Sequence, residues 1–213
     1  MSESVDGRTK RANRKRESRR RAILDAARKV FAERGYHETH VSDIIAAAGI
    51  ARGTFYLYFE SKSAIFLELL EALLKELRDS IIGVDTHDGA PPVEHQLMGT
   101  VRRLLAKVVA NRAMTTIIIR ESVGLDDAVE QQTREFYDEL LGYIRTSLLN
   151  GQEMGFVRPM NVDVAAFCVL GTIKQLMEQI ASAPDPLPPD LDVDRLTLEV
   201  LDFNLRGLMA RPR

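Results

Sequence analysis

The stretch Gly49-Ile50-Ala51-Arg52-Gly53-Thr54-Phe55-Tyr56-Leu57-Tyr58-Phe59-Glu60-Ser61-Lys62 decides the fold. Gly49 supplies a residue that turns left-handed at no steric cost, as a sharp corner between two helices needs. Ala51–Leu57 then reads as a short helix. Phe55 and Phe59, four residues apart, face a core, while Arg52, Thr54, Tyr56 and Tyr58 stand outward. Ser61 is the N-cap expected of the helix that follows. A tight turn ahead of a short helix with polar and aromatic outward positions is the pattern of a recognition helix in a helix-turn-helix.

Upstream, Ile23, Ala26, Ala27, Val30 and Phe31 recur at helical spacing, so a helix is expected from about Arg19 to a stop at Gly35. A second helix, Val41–Ala48, turns Val41, Ile44, Ile45 and Ala48 inward. Residues 1–18 are polar without apolar periodicity and are expected to form a flexible arm. Nine basic residues lie between Arg8 and Arg21. They read either as an arm that follows the minor groove and adds non-specific affinity, or as a solvated tail.

The net charge of −2 hides an asymmetry. Of the 29 Lys and Arg, 14 lie in residues 1–62 beside 8 of the 31 Asp and Glu, and the rest of the chain is correspondingly acidic. The N-terminal third is suited to a polyanion, whatever the overall balance.

Downstream, a fourth helix should start at Ser61 and carry Ile65, Phe66, Leu69, Leu70, Leu73, Leu74 and Leu77. Gly83–Pro92 reads as a loop. Helical periodicity returns over about Val93–Arg112, Ala113–Val123, Leu125–Glu153, Val162–Ala181 and Val193–Met209. Pro184, Pro186, Pro188 and Pro189 make a stiff connection before the last of these. No stretch alternates as a strand would, so the chain is expected to be all-α. The last helix bears two apolar rows, Leu196-Val200-Phe203-Gly207 and Leu198-Leu201-Leu205-Leu208, where a surface helix needs one. Two rows imply burial on two sides, the second against another subunit. An ordinary buried helix in a monomer is the competing reading.

Composition excludes several classes. The chain has 213 residues with 45% apolar content, enough to fill a core, and no run of 18 apolar residues to cross a membrane. The basic N-terminus lacks the apolar segment of a secretory signal, and the single cysteine, Cys168, forms no intrachain disulfide, which together suggest a reducing cytoplasm. No phosphate-cradling glycine loop, nucleophile elbow or metal-spaced Cys/His cluster occurs, so neither an enzyme nor a cofactor is expected. His37, His40, His87 and His95 are scattered, and Cys168 is expected to pack on its apolar helix.

The chemistry of the short helix follows from its residue types. Ala51 and Gly53 are small where the helix meets a groove, and Arg52 can donate bidentately to guanine. Thr54, Tyr56 and Lys62 offer donors to phosphate, and Tyr58 fits a phosphate or a thymine methyl. Taken one at a time, Tyr56 and Tyr58 read equally as half-buried aromatics, Arg52 as a solvated charge and Lys62 as the flank of a helix start.

The pattern of Phe31–Gly35-Tyr36, Ile44…Ala48-Gly49, Gly53-Thr54-Phe55-Tyr56-Leu57-Tyr58-Phe59 and Ser61-Lys62 resembles the TetR family of bacterial transcriptional regulators. The resemblance covers residues 19–66 and is architectural beyond them. It implies a helix-turn-helix DNA-binding domain over 19–66 and a larger helical effector-binding and dimerisation domain over 67–213. It also implies a DNA-facing set of Thr39, His40, Ser42, Ala51, Arg52, Gly53, Thr54, Tyr56, Tyr58 and Lys62. Two positions depart from the pattern. His40 stands where a small hydroxyl normally caps the second helix, so Thr39 is expected to take over the cap, and Ile45 stands where alanine is usual.

The resemblance further implies a homodimer through the last two helices, a near-palindromic double-stranded operator and release by a small molecule. An apolar set of Met98, Leu105, Met114, Ile118, Phe136, Tyr137, Leu141, Phe167 and Met177 suits a hydrophobic or amphipathic effector, or reads as plain core, and Arg120 and Glu121 read as a polar anchor, an internal ion pair or exposed side chains. An architectural DNA-binding protein without an effector, or a helical module that binds an acidic protein, remain the alternatives.

Overall fold

The computed structural model describes residues 3–121, 127–184 and 192–208, and among these no strand occurs. The chain divides into two compact units, Met1–Ala72 and Leu73–Arg213, so the division falls at 72/73 rather than at the expected 66/67.

The first unit contains α1 (Glu3–Arg34), α2 (Val41–Ala48), α3 (Arg52–Tyr56) and the start of α4 (Lys62–Asp79). Ile23, Ala27, Val30 and Phe31 form the buried stripe of α1 and meet Ile44, Phe55, Phe59, Ile65 and Phe66 in one core. Phe66 lies edge-on to Phe31 at 5.7 Å and to Tyr36 at 4.9 Å, the offset geometry that aromatic quadrupoles favour. Gly35 (φ 77°) ends α1 and Gly49 (φ 61°) turns the chain from α2 to α3, both in the left-handed region where glycine is unstrained. Ser61 caps α4 as expected, accepting the Ala64 N–H at 3.0 Å.

The N-terminal segment departs from expectation. α1 begins at Glu3, not near Arg19, and residues 3–18 are helical. Arg, Lys, Ala and Glu are good helix formers, and no glycine or proline lies between Arg8 and Arg34 to break the hydrogen-bond ladder. Side chains 10–19 are exposed, so these turns bury no apolar stripe.

The second unit holds the end of α4 with α5 (Val93–Ala110), α6 (Arg112–Glu121), α7 (Asp127–Glu153), α8 (Val162–Ser182) and α9 (Val193–Leu208). Val101, Leu104, Leu105 and Val108 of α5 are buried, as are Met114, Ile117 and Ile118 of α6. Leu141 and Leu148 of α7 pack on Ala165 and Ala166 of α8, where small side chains let the two helices approach closely. The α8 N-terminus is capped by Asn161, whose side chain accepts the Val164 N–H. Arg112 ties α6 to the end of α8 by donating to the carbonyls of Ala183 and Pro184. Asn204 of α9 donates to the Thr172 hydroxyl of α8 at 2.9 Å.

By length and composition α8 is apolar enough to cross a membrane, although it carries Asp163, Lys174 and Glu178 and packs against α6 and α7. Its hydropathy has a local cause: one side faces the core while Val164 and Phe167 on the other side are exposed. Cys168, expected to pack, is exposed beside Phe167. The two apolar rows of α9 behave alike. Leu198 and Phe203 stand in solvent, and Leu196, Val200, Leu201, Leu205 and Leu208 are half-buried.

Candidate nucleic-acid interface

Two turns of backbone present this surface. Ala51, extended at φ −74°, ψ 150°, starts α3, and the Thr54 N–H bonds its carbonyl at 2.9 Å. Burial of Phe55 and Phe59 fixes the rotation of α3. Arg52, Gly53 and Tyr56 therefore face outward, with Thr54 and Tyr58 half-buried at the edges. The Arg52 guanidinium stands 5.9 Å from the centre of the Tyr56 ring, a cation–π spacing that presents both side chains on one surface. Tyr56 is thus an outward residue rather than a core aromatic.

Gly53 has no internal reason to be glycine. Its φ is not positive, and a Cβ placed on it meets nothing within 4 Å. A glycine inside a helix costs about 0.5–1 kcal/mol relative to alanine. Its small size leaves open space on the outward side of α3. Leu57, at 74% exposure beside these residues, escaped the sequence reading. The signal was present, because Phe55 and Phe59 assign the inward face and leave Leu57 off it.

His40 and Ser42 are exposed at the start of α2. His40 is the N-cap in extended conformation, and its own N–H is satisfied by the Asp43 carboxylate at 2.8 Å. Asp43 also pairs with Arg34 at 3.0 Å, tying α2 to the end of α1.

Two residues of the expected DNA-facing set turn inward in the structure. Thr39 is fully buried, and its hydroxyl donates to the Gly35 carbonyl at 2.6 Å. It does not cap α2, whose N-cap is His40. Lys62 points back into its own unit, donating to the carbonyls of Tyr36 at 2.7 Å and Thr39 at 2.8 Å, with that of His37 at 3.4 Å. Burial holds this ammonium below the usual lysine range, and the Glu38 carboxylate offsets part of that effect.

In the second unit, Leu105, Met114, Ile118, Phe136 and Leu141 are buried and Met98, Tyr137 and Met177 half-buried. Phe167 is not a lining residue: it is 56% exposed, because the core side of α8 is taken by Ala165, Ala166 and Leu176. The side chains of Arg120 and Glu121 lie outside the described residues. The Tyr137 ring carries the Lys174 ammonium 4.9 Å from its centre, and burial raises its phenol above the usual range. An open groove of about 450 Å³ runs along α7, lined by Asp127, Glu130, Gln131, Arg134, Glu135 and Asp138, and is polar rather than apolar.

The family model described as "Bacterial regulatory proteins, tetR family" matches residues 23–69, the span built above. A fatty acid metabolism regulator protein of Bacillus subtilis is 43% identical over 154 residues, covering 72% of this chain and 78% of its own. A transcriptional repressor of Rhodococcus jostii, KstR2, is 30% identical over 122 residues, covering 57% and 50%. Among solved structures, the fatty acid degradation regulator FadR of Bacillus halodurans superposes with a TM-score of 0.67 at 26% identity, covering 91% of this chain and 97% of that one.

Proposed function

This chain belongs to the tetR family of bacterial regulatory proteins, and on that footing we propose that it is a homodimeric repressor of transcription, acting in the cytoplasm and released from its operator by a hydrophobic or amphipathic small molecule. The observation that carries the DNA-binding part is the split of α3. Phe55 and Phe59 are buried while Arg52, Gly53 and Tyr56 face out together. In this reading Arg52 reads a base, Gly53 and Ala51 let the backbone approach, and Thr54, Tyr56, Tyr58, His40 and Ser42 meet phosphates or base edges.

Symmetry then dictates the operator. Two copies of α3 in successive major grooves call for half-sites about 34 Å apart, or somewhat more, in a near-palindrome. The exposed apolar side chains Val164 and Phe167 of α8 and Leu198 and Phe203 of α9 support dimerisation through these two helices.

For the effector we favour a long-chain acyl compound. The apolar side chains of α5–α7 suit it, and the relative that is 43% identical is by name a regulator of fatty acid metabolism. Release requires that such a ligand bind the operator-incompetent conformation more tightly than the competent one. The test is a band-shift of the chain's own upstream region, titrated with fatty acids, their thioesters and unrelated apolar compounds. Release by an acyl compound alone supports the reading. Stable complexes under every compound favour an architectural protein without an effector.

A further inference from the structure

Threonines in the second unit share a habit that one of them breaks. Within α5–α9, the hydroxyls of Thr100, Thr115, Thr116, Thr146, Thr172 and Thr197 each donate to a carbonyl three or four residues back in their own helix, at 2.7–3.2 Å. Thr133 of α7 does not. Its side chain is buried, at 6% exposure, and its hydroxyl oxygen has no hydrogen-bond partner among the described residues. A buried hydroxyl left unpaired carries a desolvation cost that folds ordinarily avoid, so this one calls for a reason.

Its setting along α7 is apolar on one side and polar on the other. Val129, one turn earlier, and Phe136, three residues later, belong to the same buried stripe. One turn beyond Thr133 stands Tyr137, half-buried, with the exposed Lys174 ammonium of α8 4.9 Å from its ring centre. The stripe thus passes from apolar interior to charged rim in about two turns, and the unmet hydroxyl lies between them. None of the buried side chains among the described residues is charged.

We propose that Thr133 is a specificity-determining residue of the effector site, its hydroxyl donating to a neutral acceptor on the ligand such as an ester or thioester carbonyl. The proposal rests on the acyl-effector reading above and narrows it to the esterified form. An ester-type carbonyl needs one donor and no counter-charge, which is what this place offers. A free carboxylate brings a charge among buried side chains that hold none to match it, and an unpaired buried charge costs far more than a carbonyl with its hydrogen bond made.

The experiment uses two probes that differ in one atom pair: hexadecanoyl-coenzyme A, and the S-hexadecyl thioether of coenzyme A, in which a methylene replaces the carbonyl. Their affinities are measured by calorimetry for the unmodified chain, Thr133→Val and Thr133→Ser. The unmodified chain should prefer the thioester by about tenfold, as one hydrogen bond to a buried acceptor implies. Thr133→Val should bind both probes alike, and Thr133→Ser should keep the preference. Thermal unfolding of Thr133→Val should occur at the same temperature or higher, because the variant loses an unpaired buried hydroxyl without losing its shape. A preference that survives in Thr133→Val overturns the proposal, as does an unmodified chain that binds both probes equally. So does a marked loss of thermal stability in Thr133→Val, which gives the hydroxyl a partner inside the fold. If neither probe binds the unmodified chain, the acyl-effector reading itself falls and takes this role of Thr133 with it.

Discussion

Phe55 and Tyr56 are neighbours in sequence and opposites in environment: the Phe55 ring is completely buried and the Tyr56 ring is 48% exposed, with their centres 5.2 Å apart. A single peptide unit thus separates the buried face of α3 from the outward face proposed to meet DNA. The roles of the residues around them follow from which side of that boundary they occupy.

Arg52 is on the outward side, beside the Tyr56 ring. Arg52→Ala should leave folding intact and relax base preference at one position per half-site, costing about 1–3 kcal/mol per contact. Selection of bound sequences from a random pool with each protein checks this. An unaltered preference removes Arg52 from the base-reading set.

Gly53→Ala separates folding from binding. With open space around the new Cβ, the variant should be more stable by up to about 1 kcal/mol. The same methyl should crowd the groove and weaken operator binding, by about 1–3 kcal/mol if it acts as overpacking does elsewhere. Thermal unfolding and operator titration together decide. A variant that is stabilised and binds normally shows that no groove approaches Gly53.

The basic extension of α1 is tested through salt. Deleting residues 1–18 should lower affinity and flatten the salt dependence, by about 0.9 in slope for every phosphate that the extension neutralises. An identical slope shows that the extension never touches DNA.

Much of the first unit was legible in the sequence, because its signals are local. Gly35 and Gly49 mark the helix ends, and the four-residue spacing of Phe55 and Phe59 assigns the faces of α3. The inward turn of Lys62 was not legible, since hydrogen bonds to the backbone carbonyls of Tyr36 and Thr39 leave no trace in the residues that supply them. Thr39 misled for a related reason: a hydroxyl near a helix start reads as a cap until its partner, the Gly35 carbonyl, is known. Phe167 misled because α8 is apolar on both sides, and without a polar face nothing in the sequence shows which side turns inward. The helix over residues 3–18 was hidden by the lack of an apolar stripe, the only periodic signal available.

The proposed dimer rests on exposed apolar side chains, among them Phe203 of α9 at 71% exposure. Phe203→Glu should yield a monomer by light scattering, because association would bury an unpaired charge. Operator affinity should fall with it. A variant that stays dimeric moves the interface elsewhere.

The central claim is that two copies of α3 read a symmetric site. The most direct measurement is a selection of fragments bound from the host's own DNA under competition at moderate salt, followed by footprinting of what is recovered. The account predicts a shared near-palindrome beside a promoter, protected on one face with half-sites about one helical turn apart or somewhat more. Salt-sensitive binding with no shared site, or no binding at all, would contradict it.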